Sequence, residues 1–218
     1  MFEILLNHYP VLLKGLTTTL VVSLSAIALG LVLGVLLAFG LTSRYHLVRW
    51  PCGLYRSFWR GTPILLQLLL VYYLLPEIGI EIAPISAAIL TLTLNTTAFQ
   101  AEIFRSGISH IPAGQIEAAR MAGISAWQTR RRIIMPQVFR LTLPPLTNEI
   151  ITILKNSSLI SVIAVTELMR VSEQIASRTF QPLETYLAAA VLYLAVNLVL
   201  ARISAYLERR MAGGLATE

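Results

Sequence analysis

Hydrophobic positions in this chain fall in blocks rather than in the periodic stripes of a soluble amphipathic helix. The run GLTTTLVVSLSAIALGLVLGVLLAFGL, Gly15 to Leu41, contains no ionisable residue. As a helix it is long enough to cross roughly 30 Å of hydrocarbon. Four more apolar runs follow, and the pattern predicts five spans at about 16–41, 62–80, 85–107, 144–164 and 185–207. Thr62-Pro63 is expected to open the second as a capping hydroxyl followed by proline at the first helical position. The first run exceeds the apolar core of a cleavable signal peptide and has equals downstream, so it is read as a span.

Polar residues then set the orientation. Only 13% of the 218 residues are charged and 56% are hydrophobic, with a mean hydropathy of +0.72. That composition places the whole chain in one all-α integral membrane domain. Of the 17 basic residues, Arg44, Arg49, Arg56 and Arg60 lie between spans one and two. Arg105, Arg120, Arg130, Arg131, Arg132 and Arg140 lie at or between the ends of spans three and four, and Arg202, Arg209 and Arg210 close the chain. The opposite side holds Lys14, Arg170 and Arg178 among six glutamates, while Lys155 stays inside span four. Arginine-rich short loops remain cytoplasmic, so the N-terminus is expected outside and the C-terminus inside. The net charge of +6 therefore reports topology, and no nucleic acid is expected as a partner. One cysteine, Cys52, excludes an internal disulfide and a cysteine-based metal site.

Small residues Ala26, Gly30, Gly34 and Ala38 recur every fourth position of the first span. Such a ridge admits a close helix neighbour, either within the bundle or across a dimer.

The longest polar interruption is EAARMAGISAWQTRRRIIMPQ, Glu117 to Gln137, inside a loop of about 110–140. Glu117 to Gly123 is expected to be a short helix stopped by a glycine in a left-handed turn. Ser125 is then expected to cap a second short helix ending at Pro136. Chemistry alone leaves two uses open. One is a basic hairpin lying on anionic lipid; the other is a rigid lever for a soluble partner.

A resemblance separates them. Glu117-Ala118-Ala119, Gly123, Ile133 and Pro136 resemble the EAA signature of the permease subunits of bacterial ATP-binding-cassette importers; Met135 stands where that pattern usually has leucine. FWRGTP (58–63), LNTTAFQAEIFRSGI (94–108), IPAGQIEAA (111–119), LPPLTNEIITILKNSSLISVIAV (143–165) and RTFQPLETYLAAAVLY (178–193) are similar to the polar-amino-acid branch. The resemblance covers nearly the whole chain. It implies a five-span, MetI-like type I importer fold in a bacterial cytoplasmic membrane. It implies a second permease subunit, a dimer of ATP-binding subunits and an extracytoplasmic substrate-binding protein. It further implies that Glu117, Ala118, Ala119, Gly123 and Pro136 belong to a coupling element docked on the ATP-binding subunit. No G-x-x-x-x-G-K-[ST] phosphate loop occurs, so ATP and magnesium are expected on that other polypeptide and no cofactor or metal on this one.

Polar groups inside spans are costly and face a cavity or a partner. Asn95 and Glu102 are seven residues apart in span three, as are Glu149 and Asn156 in span four, so each pair shares a helix face. The two faces are expected to meet, with an amide layer above an acidic one. Asn95, Glu102, Glu149, Asn156 and Ser158 are the candidate substrate contacts. The alternative is that these groups only pair with one another, for example Lys155 with Glu102 or Glu149. Leu168, Val171 and Ile175 share a face of an expected amphipathic helix at the outer interface, either a lid or part of a docking surface.

Two other classes fit the sequence less well. An intramembrane enzyme needs a nucleophile with a base, or metal ligands, at depth, whereas His8, His46 and His110 all sit in or beside polar loops. A secondary transporter or channel fits poorly with five spans, no internal repeat and a long polar lever.

Overall fold

The structure, a computed structural model of the chain, describes residues 1–212, and every regular element among them is helical. The order is α1 (Phe2–Leu41), α2 (His46–Gly61), α3 (Ile64–Glu77), α4 (Pro84–Ser109), α5 (Ala113–Met121), α6 (Ala126–Thr129), a π turn (Arg130–Ile134), α7 (Met135–Asn156), a 3-10 segment (Ser157–Ile163), α8 (Leu168–Thr179) and α9 (Pro182–Ala212).

Two of these, α1 and α9, are by themselves long and apolar enough to cross a membrane. Two bent pairs qualify when each is taken as one unit: α2 with α3, bent by 111°, and the Ala126–Ile163 stretch with α8, bent by 54°. Helix α1 begins fourteen residues before the expected start of the first span and passes through Pro10. At 40 residues it is about 60 Å long, twice the hydrocarbon thickness.

The second span departs most from expectation. Helix α3 has 14 residues, about 21 Å, too short to cross alone. Pro63 is its N-cap rather than its first helical residue, and no side chain caps it. Thr62 instead donates its hydroxyl to Phe58 O at 2.8 Å. The preceding stretch, expected as a connecting loop, is the 16-residue helix α2.

Helix α4 is the hub, packed against α1, α2, α3 and α7. Its buried residues include Thr91, Thr93, Asn95, Thr96, Thr97 and Gln100. A helix surrounded by protein can carry this many polar groups because its neighbours and its own carbonyls satisfy most of them, although Thr93 Oγ1 and Gln100 Oε1 find no partner among the described residues. Thr91 and Thr97 donate to the carbonyls of Ala87 and Thr93, four residues back. The small ridge of α1 meets α4, as the spacing allowed: a Cβ on Gly34 would sit 3.0 Å from Gln100 Cβ, and one on Gly30 would overlap the Thr96 methyl. Within the chain, then, that ridge is an intramolecular packing face. Further along, a Cβ on Gly107 would approach Thr142 Cγ2 to 2.5 Å, which fixes how closely α4 and α7 cross.

Leu168, Val171 and Ile175 of α8 are buried with Ile4 and Leu12 of α1 and Ala188 and Ala189 of α9. The expected amphipathic helix therefore exists, and its apolar face is covered by protein. The Glu167 carboxylate, fully buried, caps it by accepting from the backbone N–H groups of Met169 and Arg170 at 2.9 and 2.7 Å. The same carboxylate accepts from Thr19 and Tyr193, so one side chain ties α1, α8 and α9. Burial raises its pKa above the ordinary carboxylate value against the pull of those four donors.

Candidate functional site

Among the polar groups expected on α4 and α7, the structure brings together Asn95, Glu149 and Asn156. They line a cavity of about 200 Å³ with Trp59, Thr62, Ile64, Phe99 and Thr152. The amide of Asn95 is anchored rather than free. Its Nδ2 donates to Gln67 Oε1 at 2.8 Å and to Trp59 O at 3.2 Å. Gln67 in turn donates to Trp59 O, Thr62 O and Thr62 Oγ1 at 2.9, 3.0 and 2.8 Å. Two buried amides thus clamp the α2–α3 elbow onto α4, satisfying carbonyls that the sharp bend leaves without helical partners.

Glu149 is buried, and its Oε1 accepts from Thr96 Oγ1 at 2.9 Å. Thr96 Oγ1 in turn accepts from Gln100 Nε2 at 3.0 Å. No basic group lies within ion-pair distance of Glu149 among the described residues. A carboxylate out of water with one neutral donor is under-compensated.

Glu102 and Ser158 lie elsewhere. Glu102 is held by Arg56 at 3.2 Å, Arg105 at 2.5 Å and Arg60 at 3.9 Å. It lines a separate cavity of about 360 Å³ with Arg60, Phe99, Ser106 and His110. The expected acidic layer therefore does not form: three arginines from α2 and α4 draw Glu102 away from Glu149. Ser158 shares a groove with Lys155, Met169, Tyr186 and Tyr193 near α8 and α9. Lys155 pairs with neither Glu102 nor Glu149.

The polar hairpin takes the expected elbow with one correction. Ile124 N donates to Ala119 O and Gly123 N to Arg120 O, both at 3.0 Å, the paired bonds of a Schellman C-terminus. Gly123 has φ +71 with open space around it, so backbone conformation, not crowding, calls for glycine. Ser125 and Gln128 form a reciprocal capping box at the start of α6. The second helix does not end at Pro136. It runs through the π turn into α7, with Pro136 in the first turn of α7. Proline clashes with the carbonyl four residues back, here Arg132, and the widened turn accommodates it: Met135 N bonds Arg130 O, five back. Glu117 and Ala118 are exposed on α5 and Ala119 is buried. Met121 and Trp127 are 90% and 68% exposed, so the hairpin presents an uncovered apolar surface beside its charges.

The family described as binding-protein-dependent transport system inner membrane component matches residues 9–213. The chain belongs to that family. Within it, a probable amino-acid ABC transporter permease protein YckA of Bacillus subtilis is 39% identical over 96% of this chain and 93% of its own length. The glutamine transport system permease protein GlnP of Escherichia coli is 39% identical, covering 93% of each chain. The crystal structure of an amino acid ABC transporter with histidines contains a chain that superposes with a TM-score of 0.90 at 34% identity, over 96% of this chain and 98% of that one. Membership makes the apolar helices those of a membrane-embedded protein.

For a transport-system membrane component, the sequence-level choice of candidates missed the wall contributed by α2 and α3. Trp59, Thr62 and Gln67 complete the cavity or its frame. Gln67 carried a signal, as the one polar residue in the run ILLQLLL. Thr96, which donates to Glu149, and Gln100, which donates to Thr96, carried none beyond being polar within a span.

Proposed function

We propose that the cavity between α4 and α7 holds the amino acid in transit, with Glu149 receiving its ammonium group. The chain is a membrane-spanning permease subunit of an ATP-driven amino acid importer, a transporter component rather than an enzyme. It works with an ATP-binding subunit and a substrate-binding protein. The observation that supports the cavity is the state of Glu149: a buried carboxylate with one neutral donor, facing open space. A cationic group arriving there gains a charge-assisted hydrogen bond that the protein leaves unmade. Asn156 and Thr152, on the same face of α7, offer polar contacts beside it. Asn95 acts through the elbow clamp, Glu102 at the inner mouth, and Ser158 on the outward stretch of the route.

The finer arrangement belongs to the same proposal. Five spans cross a bacterial cytoplasmic membrane with the N-terminus outside and the C-terminus inside. The arginines of α2 and of the 113–134 hairpin then share the inner side, as the basic-loop rule requires. Exposed Met121 and Trp127, with Glu117 and Ala118 on α5, form the surface that docks on the ATP-binding subunit, and buried Ala119 supports it from within. Gly123 sets the elbow, and the π turn before Pro136 carries the motion into α7. Two permease subunits pair over a dimer of ATP-binding subunits, which hold ATP and magnesium, while lipid covers the outward faces of α1 and α9.

The test is uptake by the reconstituted complex. Asn156→Ala and Glu149→Gln are expected to lower uptake and ligand-stimulated ATP hydrolysis together, and Asn95→Ala to lower both through the elbow. If all three match wild type, the substrate passes elsewhere.

A further inference from the structure

The 200 Å³ and 360 Å³ cavities share one lining residue, Phe99. Along α4 and its C-cap they are lined by Asn95, Phe99, Glu102, Ser106 and His110, spaced three or four apart, with Ile103 and Gly107 beside them. On α7 the matching series is Asn156, Thr152, Glu149, Pro145 and Leu141. The two helices run in opposite directions, so the two cavities follow one another along these faces, with Phe99 in the wall of both. The Arg60 guanidinium lies over that ring, 5.3 Å from its centroid. Arg60 is also the loosest of the three arginines on Glu102, at 3.9 Å against 3.2 Å for Arg56 and 2.5 Å for Arg105.

We propose that Phe99, held shut by Arg60, is the gate between the substrate cavity and the vestibule on the arginine side. This rests on the function and orientation proposed above. The physics is that of a hinged plate. An aromatic side chain blocks a large cross-section yet turns about two torsions, and a cation stacked on its face biases it toward one rotamer. Arg56 and Arg105 keep Glu102 in place as the fixed post, while the weakly held Arg60 is free to leave it. Arg60 sits at the end of α2, one residue from the Gly61-Thr62-Pro63 elbow. A change in the angle between α2 and α3 therefore lifts the guanidinium from the ring. Phe99 is a positioning and gating residue, and it makes no demand on which amino acid passes.

The chain's lone Cys52 makes the test direct. In a Cys52→Ser background, Thr152→Cys places a thiol in the substrate cavity. The full complex, without nucleotide, is labelled with a membrane-impermeant maleimide in inside-out and right-side-out vesicles. Phe99→Ala is expected to speed labelling in inside-out vesicles about tenfold, as a shift in the open fraction of that size would. Arg60→Gln should speed it about threefold on the same basis, and Phe99→Trp should leave it at or below the parent rate. Right-side-out vesicles should show no change. Equal inside-out rates for Phe99→Ala and the parent overturn the gate, and so does an acceleration seen equally from both sides. If Phe99→Ala fails to assemble, Phe99→Leu and Arg60→Gln are read by the same rates, and no acceleration in either overturns it. Uptake by the Glu149 and Asn156 variants separates the two ideas. Wild-type uptake there with faster labelling here removes the substrate from the cavity and keeps the gate.

Discussion

Glu102 and Glu149 face each other's helices, yet they live in opposite electrostatic worlds. Glu102 is surrounded by three guanidiniums, two from α2 and one from its own helix. Glu149 has one threonine hydroxyl. A carboxylate with more positive charge than it can neutralise is a fastener, and removing it sets its partners against one another. A carboxylate with too little compensation is costly in the empty protein and favourable once a cation arrives. The difference is one of fastening: Glu102 ties α2 to α4, whereas Glu149 keeps a single neutral donor and, on the function proposed above, receives a ligand.

Substitutions turn that contrast into measurements. The largest effect is expected at Glu149. Glu149→Gln should cut uptake on the order of a hundredfold, equivalent to losing a charge-assisted bond of about 2–3 kcal/mol. Its melting temperature in detergent should hold or rise, because the buried charge is gone. A stability loss comparable to the uptake loss would make Glu149 a fastener too.

Glu102→Gln should do the reverse. Three partly exposed arginines then lose their common anion, and a cost of about 1–2 kcal/mol is expected after allowing for solvent screening. A lower melting temperature and partial detachment of α2, read as faster amide exchange across His46–Gly61, would show it. Unchanged stability would mean that water already screens the cluster.

Thr96→Val keeps the shape of the side chain but removes the one donor to Glu149. About a fivefold rise in the KM of uptake is expected, from the roughly 1 kcal/mol of a single hydrogen bond. Thr96→Ser should restore the wild-type value. A change in maximal rate with KM unmoved would mean that Thr96 does not aim the carboxylate.

Glu167 offers the smallest effect and a useful third case. It is as buried as Glu149 but has four donors, and its pKa is raised by burial despite them. A carboxyl with a raised folded pKa stabilises fully below its unfolded value of about 4.3. That contribution fades as pH rises through the folded value. Stability should therefore fall from mildly acidic toward neutral pH, by an amount set by that shift, and Glu167→Gln should flatten the profile. A wild-type profile already flat across that window would show that the four donors offset burial.

Much of this was readable in the chain because hydrocarbon is an unforgiving solvent. The first and fifth apolar runs became α1 and α9. Gly123 and Ser125 marked the elbow because only a left-handed glycine and a capping hydroxyl satisfy those helix ends locally. The α1 ridge announced a close neighbour, and α4 supplied it. Local chemistry was less informative where a partner from far along the chain decided the outcome. Glu102 looked like a mate for Glu149 by helical register, but Arg56 and Arg60, more than forty residues earlier, hold it instead. The stretch 46–61 read as a basic loop because its apolar and charged residues alternate around a helix rather than forming a run. Pro136 looked like a stop, but a helix that widens by one residue passes through it.

By itself, then, the order of residues determined the class of solvent and the hairpin's elbow, since each depends on neighbours within a few positions. Only the three-dimensional packing decided which polar side chains meet: that Asn95 is spent on Gln67 and Trp59, that Glu149 is left nearly bare, and that Phe99 lines two cavities at once. Such pairings depend on distances between helices, and a linear pattern carries the period of each helix without the geometry of their crossing.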